Sequence, residues 1–204
     1  MKRLVGFVLA MLVLAVPISA SAQHDLSVYA TWDDGEAVLT PWYVYNGPIL
    51  VDARYNFDQS TTGAAFVGKA YLVRGLSIMP YVGVLAGKYN GVSAQVNLSA
   101  ESGAITAFAM NQYCYGIGND HADFTYQWLD VLWHPDPRLA LGIDAQAYTE
   151  PGIPLFVDAG PVVKVIPMPH LYLKAWGMVD PRNGWDRTLI IGIGFLPDEY
   201  RVNF

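Results

Sequence analysis

Hydrophobic and polar residues alternate along most of the chain, and the segment Val51 to Phe57 shows this pattern clearly. Its odd-numbered residues are apolar and its even-numbered residues are polar or charged: Val51, Ala53, Tyr55 and Phe57 against Asp52, Arg54 and Asn56. Successive side chains of a β-strand point to opposite faces of the sheet. The segment is therefore predicted to be a strand with one apolar face and one charged face.

Similar period-two segments recur between turn residues along the rest of the chain. We predict about twelve strands, with ten possible: Leu26–Trp32, Ala37–Tyr45, Ile49–Phe57, Ala64–Val73, Leu76–Gly87, Val92–Ser99, Ala104–Tyr115, Ala122–Trp133, Leu139–Tyr148, Leu155–Val165, Leu171–Val179 and Asp186–Phe195. Most are longer than the roughly 5 to 6 residues usual in soluble proteins and match the roughly 9 to 11 residues of a tilted membrane-spanning strand. The pattern predicts an all-β fold, a closed antiparallel transmembrane β-barrel in which the apolar face of each strand points outward to lipid. A secreted soluble barrel or sandwich is the alternative interpretation.

Turn lengths and aromatic residues support the membrane interpretation. Every second turn is short, as at Asn46-Gly47 and Arg74-Gly75, and the alternate turns are on average longer, which is typical of periplasmic turns and outer loops. Aromatic residues at the predicted strand ends are expected to form girdles at the two membrane interfaces. They are Trp32, Trp42, Tyr81, Tyr89, Trp128, Trp133 and Trp185.

The N-terminus is predicted to be a signal peptide. Residues 1–22 begin with Lys2 and Arg3, continue with the apolar segment Leu4–Val16, and end in small residues at Ala20-Ser21-Ala22. The mature barrel domain would then span residues 23–204. Removing two of the 12 basic residues and none of the 18 acidic ones leaves 10 against 18, a net charge of −8. This balance argues against nucleic acid as a partner, and the single Cys114 excludes an internal disulfide.

Charged and polar residues within the predicted strands are expected to line the lumen, because a charge that faces lipid at the membrane midplane costs about 2 to 4 kcal/mol. The predicted lumen-lining residues are Asp52, Arg54, Asn56, Lys69, Asp144, Gln146, Asp158, Lys164 and Lys174. Arg187 shares a face with Leu189 and Ile191, so we expect it near an interface. Opposite charges inside the barrel either pair across the lumen or line a narrow pore. Bulky inward positions favour a filled lumen: Phe156, Val162, Tyr172 and Trp176.

No catalytic, metal-binding or cofactor-binding residue is predicted. None of the four histidines is followed by Ser two residues later, the spacing used by known barrel lipases and deacylases. His134 and His170 are predicted to lie in tight Pro-containing turns, which position a catalytic base poorly. His121 with Asp120 and Asp123 would be the first place to look for a catalytic or metal site, and its simpler interpretation is a solvated loop.

The stretch Asp52-Ala53-Arg54-Tyr55-Asn56-Phe57 with Thr62-Gly63 resembles a motif of a family of uncharacterised outer-membrane β-barrel proteins of Gram-negative bacteria. Weaker agreements follow in order along nearly the whole mature chain. They are Trp42-Tyr43 with Tyr45-Asn46, Pro80, Gly91, Phe124-x-Tyr126-x-Trp128-x-Asp130, Gly142-x-x-Ala145-Gln146, Asp158 with Gly160, and Asp180. The resemblance implies the fold and an outer-membrane location, and it implies no activity.

One departure from that family concerns the C-terminus. Its members end at a terminal strand whose last residue is Phe, whereas here the aligned strand ends at Phe195 and the chain continues for residues 196–204. The tail repeats the expected pattern at Tyr200, Val202 and Phe204. We predict that these three residues form the insertion signal, either on an extra segment or on a last strand bulged at Pro197.

The sequence thus predicts a non-enzymatic outer-membrane β-barrel protein, either structural or a narrow channel for a small solute. Its expected partners are outer-membrane lipid and the insertion machinery, and it is expected to be a monomer. The alternatives are a membrane-embedded enzyme that modifies lipids or the envelope, and a soluble exported ligand-binding barrel.

Overall fold

The computed structural model describes residues 23–33, 36–55, 61–118, 122–180 and 186–195. The predicted signal peptide and insertion signal lie outside these ranges, as do Asn56, Phe57, Asp120 and His121. The side chains of Trp185 and Arg187 also lie outside the described part of the structure.

The described residues form thirteen β-strands. They are β1 (Gln23–Asp33), β2 (Glu36–Asn46), β3 (Leu50–Tyr55), β4 (Gly63–Gly68), β5 (Tyr71–Val73), β6 (Leu76–Ala86), β7 (Gly91–Ser102), β8 (Ile105–Gly116), β9 (Phe124–Asp136), β10 (Leu139–Thr149), β11 (Phe156–Met168), β12 (Leu171–Asp180) and β13 (Asp186–Phe195). No helix long and apolar enough to span a membrane occurs among the described residues.

Each strand pairs antiparallel with its neighbours, and two further pairings close the sheet into a barrel. The first strand pairs with the last, with Leu26 opposite Phe195, and β4 pairs with β6, with Gly68 opposite Tyr81. Because β4 and β5 both pair with β6, they act as one interrupted strand of a twelve-stranded barrel. The predicted closed antiparallel barrel is confirmed. Because the barrel closes, the described strands have no free edge around most of the wall.

The fourth barrel strand is interrupted at Lys69 and Ala70, where the sequence predicted one continuous strand. The break lies beside Pro80 of β6, whose nitrogen carries no hydrogen to donate to the ladder. Only a long contact remains there, from the Lys69 N–H to the Pro80 carbonyl at 3.3 Å. Lys69 is exposed at the break, with its ammonium 5.7 Å from the Tyr71 ring centroid. Contrary to the prediction, Lys69 does not lie on the inner face.

The turns differ between the two ends of the barrel. At one end, which we call the short-turn end, strands are joined at residues 47–49, 74–75, 103–104, 137–138 and 169–170. Connections at the other end, the long-turn end, include residues 87–90 and 150–155. Both described chain ends, Gln23 and Phe195, lie at the short-turn end.

Strand β9 extends past the predicted stop at His134. It runs to Asp136, so His134 lies in the strand and not in a turn. Pro135 is tolerated there because β8 ends its pairing with β9 at Ile105 and Trp133, so no ladder partner needs its missing N–H. The imidazole Nε2 of His134 lies 2.9 Å from the Thr106 hydroxyl oxygen. His170 does lie in a turn, at residues 169–170, as predicted.

The faces of the strands follow the predicted alternation with one reversal. In β10, Ile143 is exposed on the outer face and Asp144 is buried on the inner face, as the sequence indicates. In β9 the aromatic residues of Phe124–Trp128 point inward, whereas Thr125 and Gln127 point outward. We expected the apolar face of that segment to meet lipid. It fills the lumen instead, because large rings are needed to occupy the interior of a barrel of this width.

The outer face of β3 is covered by its neighbour. Val51 packs with Tyr43 and Tyr45 of β2, and Ala53 pairs directly with Tyr43. Both Val51 and Ala53 are buried, so the aromatic rings lie over the outer face that the sequence predicted to meet lipid.

Candidate functional site

The inner face of the barrel carries most of the predicted lumen-lining residues. Asp52, Arg54, Asp144 and Asp158 are buried there, and Gln146, Lys164 and Lys174 are half-buried on the same face. They belong to β3, β10, β11 and β12, so they approach the lumen axis from opposite sides of the wall. The predicted bulky residues Val162, Tyr172 and Trp176 are also buried inside, whereas Phe156 lies at the exposed end of β11.

Asp52 and Arg54 form a buried ion pair on the inner face of β3. The guanidinium donates twice, from Nε to Oδ1 at 2.9 Å and from Nη2 to Oδ2 at 2.6 Å. Nη2 also lies 3.2 Å from the Gln95 amide oxygen of β7 and 3.4 Å from the Met110 sulfur of β8. The planar guanidinium suits this two-pronged contact with a carboxylate. The pair therefore spans the lumen toward β7 and β8.

Four aromatic rings meet across the lumen, and we call them the aromatic tetrad: Tyr29, Trp42, Trp128 and Trp176. Successive ring centroids lie 5.8 Å (Tyr29 to Trp42), 5.8 Å (Trp42 to Trp128), 6.2 Å (Trp128 to Trp176) and 5.4 Å (Trp176 to Tyr29) apart. These separations are within the range of favourable aromatic pairs. The tetrad comes from β1, β2, β9 and β12, so its rings meet across the lumen.

Buried carboxylates anchor the indoles of the tetrad. Trp42 donates its Nε1 hydrogen to Asp52 at 2.9 Å. Trp128 and Trp176 both donate to the Oδ2 of Asp144, at 2.5 Å and 2.7 Å. A hydrogen bond to a charged acceptor stabilises a buried geometry more than a neutral one does. The rings are therefore held in place from the barrel wall.

Two cations lie against the rings of the tetrad. The Arg54 guanidinium carbon is 4.3 Å from the Trp42 ring centroid. The Lys174 ammonium is 4.5 Å from the Trp176 centroid and 5.7 Å from the Trp128 centroid, and it forms a salt bridge with Asp130. All three distances permit cation–π attraction.

A second polar cluster lies on the short-turn side of the tetrad. The Tyr172 hydroxyl donates to Asp25 at 3.2 Å and lies 3.2 Å from the Tyr29 hydroxyl. The Lys164 ammonium is 4.6 Å from the Tyr172 ring centroid. Lys164 also faces Lys174 directly across the β11–β12 ladder, so two ammonium groups lie side by side on the inner face.

A cavity of about 110 Å³ lies on the long-turn side of the tetrad. Its lining includes the four tetrad rings, the Arg54 guanidinium and Gln146, which pairs with Trp128. Three more polar side chains lie one inward position further toward the long-turn end: Thr31, Thr40 and Tyr126. The Tyr126 hydroxyl donates to the Gln146 amide oxygen at 2.8 Å. The cavity therefore combines aromatic faces with hydrogen-bonding groups, as small-molecule sites do.

Of the aromatic tetrad, the sequence predicts only Trp176 inside the lumen. Trp42 and Trp128 were expected at the membrane interfaces, and both point into the lumen. Tyr81 is also buried inside, and Tyr89 packs on Phe124 with ring centroids 5.1 Å apart. Trp32 and Trp133 do lie exposed on the outer face. Asp130 is the feature of the sequence that indicates the correct orientation of Trp128. The two residues share one face of the strand, and a charged side chain is expected inside the barrel.

Comparison with solved structures gives the class of the fold. The NanC porin has a TM-score of 0.62 and 11% sequence identity, over 83% of this chain and 98% of that chain. The KdgM porin in complex with disordered oligogalacturonate has a TM-score of 0.61 and 8% identity, over 84% of this chain and 98% of that chain. A loop-deletion mutant of OmpT, an outer membrane protein of Vibrio cholerae, has a TM-score of 0.53 and 6% identity, over 86% and 98% of the two chains. This chain therefore has the fold of outer-membrane porins.

No protein-family model matches the sequence, and no curated protein matches it.

Proposed function

We propose that this protein is a non-enzymatic outer-membrane β-barrel that acts as a narrow channel for a small solute. Large apolar side chains in the middle of strands support the membrane location, since Val82 is 64% and Ile143 65% exposed. A soluble barrel rarely exposes so many apolar residues around its wall. The fold shared with outer-membrane porins and the resemblance to a Gram-negative outer-membrane family agree with this proposal.

The turn lengths support one orientation. Outer-membrane barrels have short periplasmic turns and longer outer loops, so the short-turn end would face the periplasm. Both described chain ends lie at that end, as expected after export with a cleaved signal peptide. The cavity would then face the outside of the cell, with the aromatic tetrad as its floor.

The observation that carries the channel proposal is the cavity that rests directly on the aromatic tetrad. A solute that enters from the long-turn end meets polar side chains first and then four packed rings. Passage needs one ring to move aside, so the channel is narrow and closed at rest. This is the arrangement expected of a selective path and not of a wide pore.

Planar-bilayer recording of the full-length folded protein tests the proposal. We expect small, brief currents from the wild type, because the tetrad closes the lumen most of the time. Trp128→Ala should give larger and longer currents, since it removes a ring that contacts Trp42 and Trp176. Trp133→Ala on the outer face is the matched control and should behave as the wild type. Currents no greater than those of a protein-free bilayer for all three proteins would leave only a structural role.

The membrane location has its own test. A folded outer-membrane barrel resists unfolding in detergent until boiled, so heated and unheated samples should migrate differently in a detergent gel. A soluble exported barrel should show one position in both samples.

A further inference from the structure

Two carboxylates, Asp130 and Asp144, lie side by side at the level of the aromatic tetrad. They are direct cross-strand partners on β9 and β10 and share the inner face. Asp130 is 7% exposed and Asp144 0% exposed. Like charges directly opposite each other on neighbouring strands repel, and burial strengthens the repulsion. The pair therefore needs positive charge nearby.

In each carboxylate, one oxygen accepts hydrogen bonds and the other has no hydrogen-bond partner among the described residues. The Oδ2 of Asp144 accepts from Trp128 and Trp176, and the Oδ2 of Asp130 accepts from Lys174. The Oδ1 atoms of both residues are buried and have no hydrogen-bond partner in the described structure. Buried polar atoms in native proteins are nearly always hydrogen-bonded. Two oxygens without a donor on directly paired residues favour a donor supplied from outside the chain.

The charges around this place are uneven. Arg54 is matched by Asp52, and Lys164 lies over Tyr172, which donates to Asp25. Lys164 and Lys174, which lie side by side on the inner face, are then the described cations nearest to three carboxylates, Asp25, Asp130 and Asp144. With all three carboxylates ionised, this group lacks one positive charge. A bound cation would supply it.

The surroundings of the Lys174 ammonium indicate which kind of cation can bind beside Asp130 and Asp144. Its primary ammonium is held by the Asp130 carboxylate and by the faces of Trp176 and Trp128. Carboxylate and indole faces together are a favourable surrounding for an ammonium ion. The same two indoles line the cavity on their other side, together with Arg54, whose charge is balanced by Asp52, whereas Asp130 and Asp144 lie behind the indoles and outside the lining. A second ammonium that passes between these indoles from the cavity would meet the same chemistry.

We propose that Asp130, Asp144 and the indoles of Trp128 and Trp176 bind the primary ammonium group of a small organic amine, whose carbon chain lies in the cavity. The proposal deepens the channel function and rests on it, since it names the class of solute that the lumen takes. An anion would meet two carboxylates here. A neutral alcohol would leave the charge of the pair unbalanced.

Tryptophan fluorescence of the full-length protein folded in detergent tests the site, with n-butylammonium, butyrate and n-butanol as probes of equal length. We expect saturable quenching by butylammonium at concentrations about tenfold or more below those needed for butyrate or butanol, as one charged hydrogen bond provides. Equal responses to the three probes would overturn the proposal.

Conservative variants localise the binding. Asp144→Asn should weaken butylammonium binding about tenfold or more. Asp180→Asn, another buried inner-face aspartate near the long-turn end, is the control and should bind as the wild type. Lys174→Ala empties the resident ammonium position and should strengthen binding, whereas Lys174→Arg keeps the charge and should not. Unchanged binding in Asp144→Asn would overturn the proposal, and heat-modifiable migration shows that each variant is folded.

Binding and conduction can fail separately. Butylammonium binding with no current in the bilayer would retain the amine site and reject the channel function. Current without preferential amine binding would retain the channel and reject the amine site.

Discussion

Trp42 of β2 and Trp128 of β9 meet across the lumen with ring centroids 5.8 Å apart. Their strands lie on opposite sides of the barrel, with five barrel strands between them in either direction when β4 and β5 count as one. Side chains of the wall itself therefore meet in the middle of the lumen. Each indole is fixed by a different buried carboxylate, Asp52 or Asp144, so the position of the two rings depends on hydrogen bonds as well as on packing.

Trp128→Phe should lower the free energy of unfolding by about 2 kcal/mol. The phenyl ring keeps most of the packing against Trp42 and Trp176, but the N–H that donates to Asp144 is lost, and a hydrogen bond to a charged group contributes roughly 1.5 to 3 kcal/mol. Urea unfolding of the protein in lipid vesicles measures the change.

Trp133→Phe is the matched control for this loss. Trp133 lies on the outer face of the same strand and is exposed, so its replacement should change the stability by less than about 0.5 kcal/mol. Equal losses in the two variants would show that the indole–carboxylate bond contributes nothing.

The Asp52–Arg54 pair should show strong coupling in a double-mutant cycle. Asp52→Asn or Arg54→Met alone leaves one buried charge without its partner and should cost about 3 kcal/mol. The double variant should lose about 1 to 3 kcal/mol less than the sum of the single losses, because no unpaired charge remains. Additive losses in vesicle unfolding experiments would contradict the buried ion pair.

Sequence alternation predicts the barrel well because closure and lipid exposure impose it on every strand. The face of Asp52 and Arg54 follows from their charge alone, since a charge is far more stable inside than against lipid. Alternation does not tell which face of an aromatic strand points inward, and that is why the Phe124–Trp128 face was assigned wrongly. Tryptophan is equally suited to a membrane interface and to filling a lumen.

Position within the barrel explains the other differences. Lys69 lies within a segment that the sequence predicts as one strand, but Pro80 on the neighbouring strand breaks the ladder beside it. That partner becomes known only when the register is known. The Asp130–Asp144 pairing has the same origin, since 14 positions separate two residues that the β9–β10 register places opposite each other.

Gly160 and Gly177 should respond in opposite ways to substitution by Ala. A Cβ on Gly160 would lie 1.9 Å from the Gly177 carbonyl oxygen, so the backbone of two strands must shift. We expect Gly160→Ala to lower the free energy of unfolding by about 1 to 3 kcal/mol. A Cβ on Gly177 meets nothing within 4 Å, so Gly177→Ala should be neutral or stabilising by about 0.5 kcal/mol. Similar losses for both, measured by urea unfolding, would contradict the close approach at Gly160.

Asp123 should make the stability of the long-turn end depend on pH. The Tyr113 hydroxyl, which donates to this carboxylate at 2.6 Å, and the Gly116 N–H at 3.0 Å hold the pKa of Asp123 below its ordinary value of 3.8. A lowered pKa stabilises the folded state above pH 3.8, and the stabilisation is lost as the pH falls through the lowered pKa.

Asp123→Ala measures this contribution. The difference in thermal midpoint between wild type and variant should stay constant from neutral pH to about pH 5 and shrink below about pH 4. Tyr113→Phe removes the stronger donor and should reduce the pH dependence. A difference that grows toward acid pH would show the opposite linkage.

The tail after β13 should matter for assembly and not for the stability of the finished barrel. Phe195 already pairs with Leu26 of β1 and Leu171 of β12, so the described wall closes without residues 196–204. The alternating Tyr200, Val202 and Phe204 lie outside the described residues, and we propose that they are the insertion signal.

Deleting residues 200–204 should therefore abolish assembly in the outer membrane of cells while the purified chain still refolds in detergent. Replacing Arg201 and Asn203 by Ala leaves the alternating apolar residues in place and should permit assembly. Normal surface insertion of the truncated chain would reject the signal, and failure to refold in detergent would assign the tail to the barrel wall.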